Sequence, residues 1–191
     1  SLNNLYLPSI TIEQEFLRIY KDPFAYSALI GYVSESNKID DDLIKSSDIK
    51  VGKSGIEKYY NNALMGASGV KLIEVDSKAR IVNSSVVQEP LDGSQIRLSI
   101  SSKIQDYIYD IAKDKIISAV LIHIPTYSVL ASVSTPSFNS NSLSRQITRD
   151  EWNMLNENQY KPLLNRVFSA LYPPGSVFKL PVALSALEQG V

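Results

Sequence analysis

Pro173-Pro174-Gly175 interrupts an apolar segment, residues 163–190, that otherwise reads as helical on both sides. Proline fixes φ and lacks an amide hydrogen, so a helix does not run through the pair. A new helix has to start close to Ser176. Pro181 fits such a start, because a missing N–H matters least in the first helical turn.

The periodicity of the rest of the chain mixes helices and strands. Residues 12–21 carry Ile12, Phe16, Ile19 and Tyr20 at helical spacing, and Asp22-Pro23 stops the pattern. An apolar run over 24–33 has Gly31 near its end, and the polar stretch 34–50, with aspartates at 40–42, reads as a solvated loop or helix start. GIEKYYNNALMG (55–66) predicts a short helix with a glycine stop. From Val70 the period becomes two, and KLIEVDSKARIV predicts two strands around a turn near 76–79. QIRLSI (95–100) alternates as a strand. Ser101 then caps a helix whose inward stripe is Ile104, Tyr107, Ile108 and Ile111. A second hairpin pattern covers 117–134, turning at Pro125-Thr126-Tyr127. Residues 137–150 read as a loop, and Asp150 as the cap of a helix through Trp152 and Leu155. Strands and helices do not alternate strictly, so the fold class is α+β.

Several function classes are excluded or disfavoured. A net charge of −1 argues against a nucleic-acid partner, which needs a basic surface. The absence of cysteine removes disulfides and thiolate metal sites. Neither a His/carboxylate metal set nor a glycine-rich phosphate loop is present, so no cofactor is expected. The sequence has no apolar run of about 18 residues that would span a bilayer.

What remains is YPPGSVFKLP, residues 172–181. Lys179 follows Ser176 by three residues, so the two side chains share a helical face. A serine hydroxyl is a weak nucleophile and needs a nearby base. A lysine serves when burial or the positive end of a helix dipole lowers its pKa. The same helix start offers the Ser176 N–H to an oxyanion. The spacing alone is weak, since S-x-x-K also occurs at Ser47–Lys50 and Ser68–Lys71. Only the third pair combines a breaker, a helix start and an apolar helix. His123 is the single histidine and lies in an apolar strand pattern, where a structural role is the simpler reading.

PLLNRVFSALYPPGSVFKLPVALSAL (162–187) resembles the acylated-serine segment of the class B penicillin-binding proteins. Val177 replaces their usual threonine and Ala170 a common glycine. ASVSTPSFNSN (131–141) and RLSISSKIQ (97–105) resemble the first strands and helix of that family's transpeptidase domain. GKSGIEKYYNNALMG (52–66), IEVDSKARIV (73–82) and LIGYVSES (29–36) resemble its N-terminal, non-catalytic domain. In these segments Met65 and Ala79 stand where arginine and glycine are usual. At 121–131, His123 takes the place of an aspartate. The wording of 52–60 is most similar to the elongation-type members.

The resemblance implies a pedestal, or dimerisation-type, domain over residues 1–95. It implies the first part of a transpeptidase domain over 96–191, with Ser176 as nucleophile and Lys179 as base. Implied partners are peptidoglycan stem peptides, β-lactams and a membrane glycan polymerase. The implied location is the periplasmic side of a bacterial inner membrane. The family's S-x-N and K-T-G motifs are expected after Ser176 and do not occur there. The Ser/Asn runs at 34–37 and 138–141 lie in polar loops ahead of it. Both ends look cut, so this stretch is expected not to hold a stable acyl adduct, leaving a non-catalytic scaffold role as the alternative. A serine β-lactamase or antibiotic sensor is a third, weaker fit. The apolar helix after Ser176, lacking its surroundings, is expected to pair two copies or to lose order beyond about residue 165.

Overall fold

The computed structural model describes residues 17–36, 50–78, 80–145 and 147–190. A short helix α1 (Ser27–Ile30) leads through Gly31 into strand β1 (Val33–Glu35), which pairs antiparallel with β2 (Lys50–Gly52). Gly31 is required twice over: its φ is +84°, and a Cβ there would sit 2.1 Å from the Ser54 carbonyl oxygen. The helix expected over 55–66 divides at Tyr60 into α2 (Gly55–Tyr59) and α3 (Asn61–Met65), with the glycine stop at Gly66. The first hairpin is β3 (Val70–Val75) with β4 (Ile81–Gln88). Asp76 makes its turn by accepting the N–H groups of Lys78 and Arg80 at 2.8 and 2.9 Å.

The packed centre of the described residues is built on the second hairpin, β5 (Ile117–His123) with β6 (Ser128–Thr135). Helix α4 (Ser102–Ala112) lies against β6, which is buried from Ala131 to Thr135. Val33, Val51, Ala112, Ala131, Val133, Phe138 and Leu143 form the apolar core, and Tyr32 meets Phe138 edge-on at 5.9 Å. Helices α5 (Ser140–Ser144), α6 (Arg149–Asn156) and α7 (Lys179–Glu188) follow. This mixed order is the expected α+β arrangement.

Several local expectations are corrected. Much of the helix expected at 12–21 lies outside the described residues, and residues 17–20 are not helical. Tyr20 there has both backbone groups taken by the Asn141 side chain: Oδ1 accepts its N–H (2.8 Å) and Nδ2 donates to its carbonyl (2.9 Å). The aspartates at 40–42 fall outside the described residues. Residues 95–100 form no ladder; the segment meets β6 through Ser99 Oγ to the Val129 carbonyl and Ser101 N–H to the Leu130 carbonyl. Ser101 is the N-cap position of α4, but its side chain makes no capping bond. The loop expected at 137–150 contains α5, capped by the Asn139 side chain. Thr148, not Asp150, caps α6, in a capping box with Glu151.

The inward stripe of α4 is also rotated. Tyr107 and Ile111 are exposed, whereas Gln105 is fully buried. Its carboxamide is satisfied at both ends, which lets a polar residue occupy the core. Nε2 donates to the carbonyls of Ala25 (2.7 Å) and Ser132 (2.9 Å), and Oε1 accepts the Ser132 N–H (2.8 Å). Removing this side chain orphans buried backbone groups. Gln105→Ala is expected to lower the unfolding free energy by about 3 kcal/mol in urea, with Lys103→Ala on the outer face nearly neutral.

Tyr26 sits between α1 and α4. Burial chiefly, then a hydrogen bond to the Asp106 carboxylate, raises its phenol pKa to about 12. The unfolded chain loses this proton near pH 10. The folded state retains it, so stability is full below pH 10 and falls as pH rises toward about 12. Alkaline denaturation with Tyr26→Phe checks this, since the variant should lose part of that decline.

Candidate active site

The segment leading to Ser176 is held by the backbone of the packed centre, not by a helix. Residues 163–170, expected to be helical, form turns around Arg166. The Arg166 side chain is buried, and its guanidinium donates to the carbonyls of Lys161 (3.1 Å), Leu164 (3.3 Å) and Tyr160. A buried cation needs acceptors, and the carbonyls that a helix would have consumed are turned toward it. The Arg166 N–H donates to Ser134 Oγ (3.0 Å), which donates to the Leu164 carbonyl. Asn165 Nδ2 donates to the Ala28 carbonyl on α1 at 2.6 Å.

Beyond this loop come Pro173 and Pro174, then a 3₁₀ turn, Gly175–Phe178. Gly175 has φ +56° and open space around it, so backbone conformation rather than crowding selects glycine. The Lys179 N–H closes the turn on the Ser176 carbonyl, and α7 begins at Lys179. In 3₁₀ geometry residues i and i+3 eclipse, which puts Ser176 and Lys179 on one side. Both are exposed. Among the described residues Ser176 Oγ has no hydrogen-bond partner. A shallow groove of about 280 Å³ is lined by Gly175, Phe178, Lys179, Val182, Ala183 and Ala186; it takes in Lys179 but not Ser176.

The competing residues are drawn elsewhere. Lys71 lies on strand β3 and Ser68 precedes it, so that S-x-x-K pair lacks a helical face. Ser47 lies outside the described residues. His123 Nδ1 pairs with Thr126 Oγ1 at 2.8 Å across the β5–β6 turn, remote in sequence from Ser176 and exposed to solvent. Ser137-Phe138-Asn139 spells S-x-N, but Phe138 is in the core and Asn139 caps α5. Among the described residues no helix is long and apolar enough to cross a membrane.

Two family models match this chain. Residues 2–98 match the penicillin-binding protein dimerisation domain, and residues 117–191 match the penicillin-binding protein transpeptidase domain. The chain belongs to the penicillin-binding proteins. It is 34% identical over 203 aligned residues to the peptidoglycan D,D-transpeptidase MrdA of Salmonella typhimurium, covering all of this chain and 32% of that protein. Among solved structures it is similar to the penicillin-binding protein PBP2 in complex with MreC from Helicobacter pylori. That match has a TM-score of 0.77 at 34% identity, over 90% of this chain and 32% of the other. Pseudomonas aeruginosa PBP2, solved with WCK 5153, matches with a TM-score of 0.73 at 31% identity, over 94% of this chain and 36% of the other. The chain thus spans about a third of the length of the relatives it matches.

Asn165, Arg166 and Gln105 were not legible as site-supporting residues. Asn165-Arg166 stands between Leu163-Leu164 and Val167-Phe168, where a helical reading makes both of them surface residues. The one available signal is an Asn-Arg pair inside an apolar run.

Proposed function

We propose that this chain carries the nucleophile of a peptidoglycan D,D-transpeptidase, with Ser176 acylated and Lys179 accepting its proton. The reading is carried by the 3₁₀ turn that starts at Gly175, directly after Pro173-Pro174, in which the i, i+3 spacing sets serine and lysine on one side within a segment matching the transpeptidase domain. Ser176 Oγ attacks the carbonyl carbon of a D-Ala-D-Ala peptide bond, and its proton passes to the lysine amine. The bond to the terminal D-alanine breaks, and that amine leaves carrying the proton. An amine of a second stem peptide then attacks the serine ester and restores the hydroxyl. A β-lactam enters by the same first step, its ring amide replacing the peptide bond. The proposed boundary between the non-catalytic and catalytic parts is residue 95/96, and the proposed location is the periplasmic face of the inner membrane.

In full-length protein, Ser176→Ala is expected to abolish labelling by a fluorescent penicillin. Lys179→Ala is expected to slow labelling by about 100-fold or more, as loss of a general base does. Undiminished labelling of Ser176→Ala contradicts the assignment. Residues 1–191 alone, lacking S-x-N and K-T-G after Ser176, are expected to form no lasting adduct.

A second reading, an interaction module, is favoured by the β3–β4 ribbon. Val70, Leu72, Val75, Ile81, Val82 and Val87 on it are exposed. The structure of a relative with MreC supports a protein partner, and we extend this to a membrane glycan polymerase. Exposed Leu180, Val182, Leu184 and Leu187 on α7 support pairing of two copies by the same logic. A pull-down with the polymerase's membrane domain is expected to retain residues 1–95; failure of that segment to bind removes this reading.

A further inference from the structure

Residues 20–28 are held to the later part of the chain by three carboxamide side chains. Asn141 takes the Tyr20 carbonyl, Gln105 the Ala25 carbonyl and Asn165 the Ala28 carbonyl. The Pro23 carbonyl accepts the Ser140 N–H as well. The carbonyl acceptors fall within residues 2–98, which match the dimerisation domain, whereas Asn141 and Asn165 fall within 117–191, which match the transpeptidase domain. The two matched regions therefore share directed polar contacts along residues 20–28, the segment that leads into α1.

Asn165 differs from the other two because it stands on the path to Ser176. Its Oδ1 accepts the Val167 N–H at 3.2 Å, and its carbonyl accepts the Ser169 N–H at 2.8 Å. Arg166, next to it, stitches 160–164 together and ties the loop to Ser134 on β6. Between Ser169 and the 3₁₀ turn, residues 170–174 have no regular structure, and Leu171 is 98% exposed. Among the described residues, then, the last anchor ahead of the candidate nucleophile is Asn165-Arg166. Of residues 170–174, Pro173 and Pro174 have φ fixed by their rings, which narrows the paths from the anchor to Ser176.

We infer that Asn165 and Arg166 are positioning residues: they fix the Ser176-bearing turn to α1 of the dimerisation region and to β6 of the transpeptidase region. The inference rests on the reading of Ser176 as nucleophile. Neither residue touches the reacting atoms, so their effect falls on the bond-forming step. Substrate capture is left largely intact.

Stopped-flow acylation of full-length protein by a fluorescent penicillin separates the two, giving a limiting rate and an initial dissociation constant. Asn165→Ala is expected to lower the limiting rate at least tenfold and to change the dissociation constant less than threefold. Thr148→Ala serves as the control for lost stability, because it uncaps α6 without touching this loop; its limiting rate is expected to equal that of the parent. Arg166→Lys keeps the charge but not the three-carbonyl fork. It is expected to behave like Asn165→Ala, and it carries the test if Asn165→Ala does not fold. Ser176→Ala run in parallel separates the two claims. If it still labels, the nucleophile is misassigned. If it does not label while Asn165→Ala and Arg166→Lys keep the parental limiting rate, or slow only as Thr148→Ala does, the positioning role is wrong.

Discussion

The carboxamide of Gln105 joins three parts of the chain that are far apart in sequence: helix α4, strand β6 and the segment ahead of α1. Each of its polar atoms is hydrogen-bonded in a fully buried setting, where an unmet partner costs far more than a bond contributes in water. This pins α4 to β6 in one rotation. It also holds residues 20–28 against the packed centre, from which the loop carrying Asn165 and Arg166 is hung. The loop up to Ser169, which precedes the 3₁₀ turn, is placed by that chain of backbone captures.

The division of labour between apolar and polar forces is uneven along the molecule. Ala131 and Val133 of β6 and Ala112 of α4 are buried by ordinary apolar contact. Contacts between the two matched regions are both polar, as Asn165 Nδ2 to the Ala28 carbonyl, and apolar, as Tyr32 on Phe138, and within the first region a charged group is buried too. Glu57 of α2 is buried and is met by Arg18 at 3.1 Å and by the Tyr20 hydroxyl at 3.2 Å. Burial first, and then this carboxylate, push the Tyr20 phenol well above its ordinary pKa. Directed bonds of this kind specify an arrangement more sharply than apolar area does.

Much of the element order was legible because strand and turn chemistry is local. The alternation at 117–134 and the Asp76 turn could be read directly, as could the break at Pro173-Pro174-Gly175 and the helix after it. Three of the errors share a physical origin. Gln105, Asn141 and Asn165 bond backbone groups distant in sequence, and the Arg166 guanidinium bonds nearby carbonyls of a non-helical loop; periodicity counts all four as surface. So periodicity rotates the stripe of α4, puts Tyr20 in a helix and makes 163–170 helical, where the structure has turns around Arg166. Ser176 and Lys179 are proposed from the breaker, the spacing and the resemblance of 162–187; the bonds that hold the loop ahead of them leave no such local signal.

The central claim is that the hydroxyl of Ser176 becomes an ester. Full-length protein treated with a penicillin, digested and sequenced by tandem mass spectrometry locates the adduct to a single residue. The account predicts the added mass on Ser176 within the peptide containing 172–179. An adduct on any other serine, with Ser176 unmodified, would contradict it.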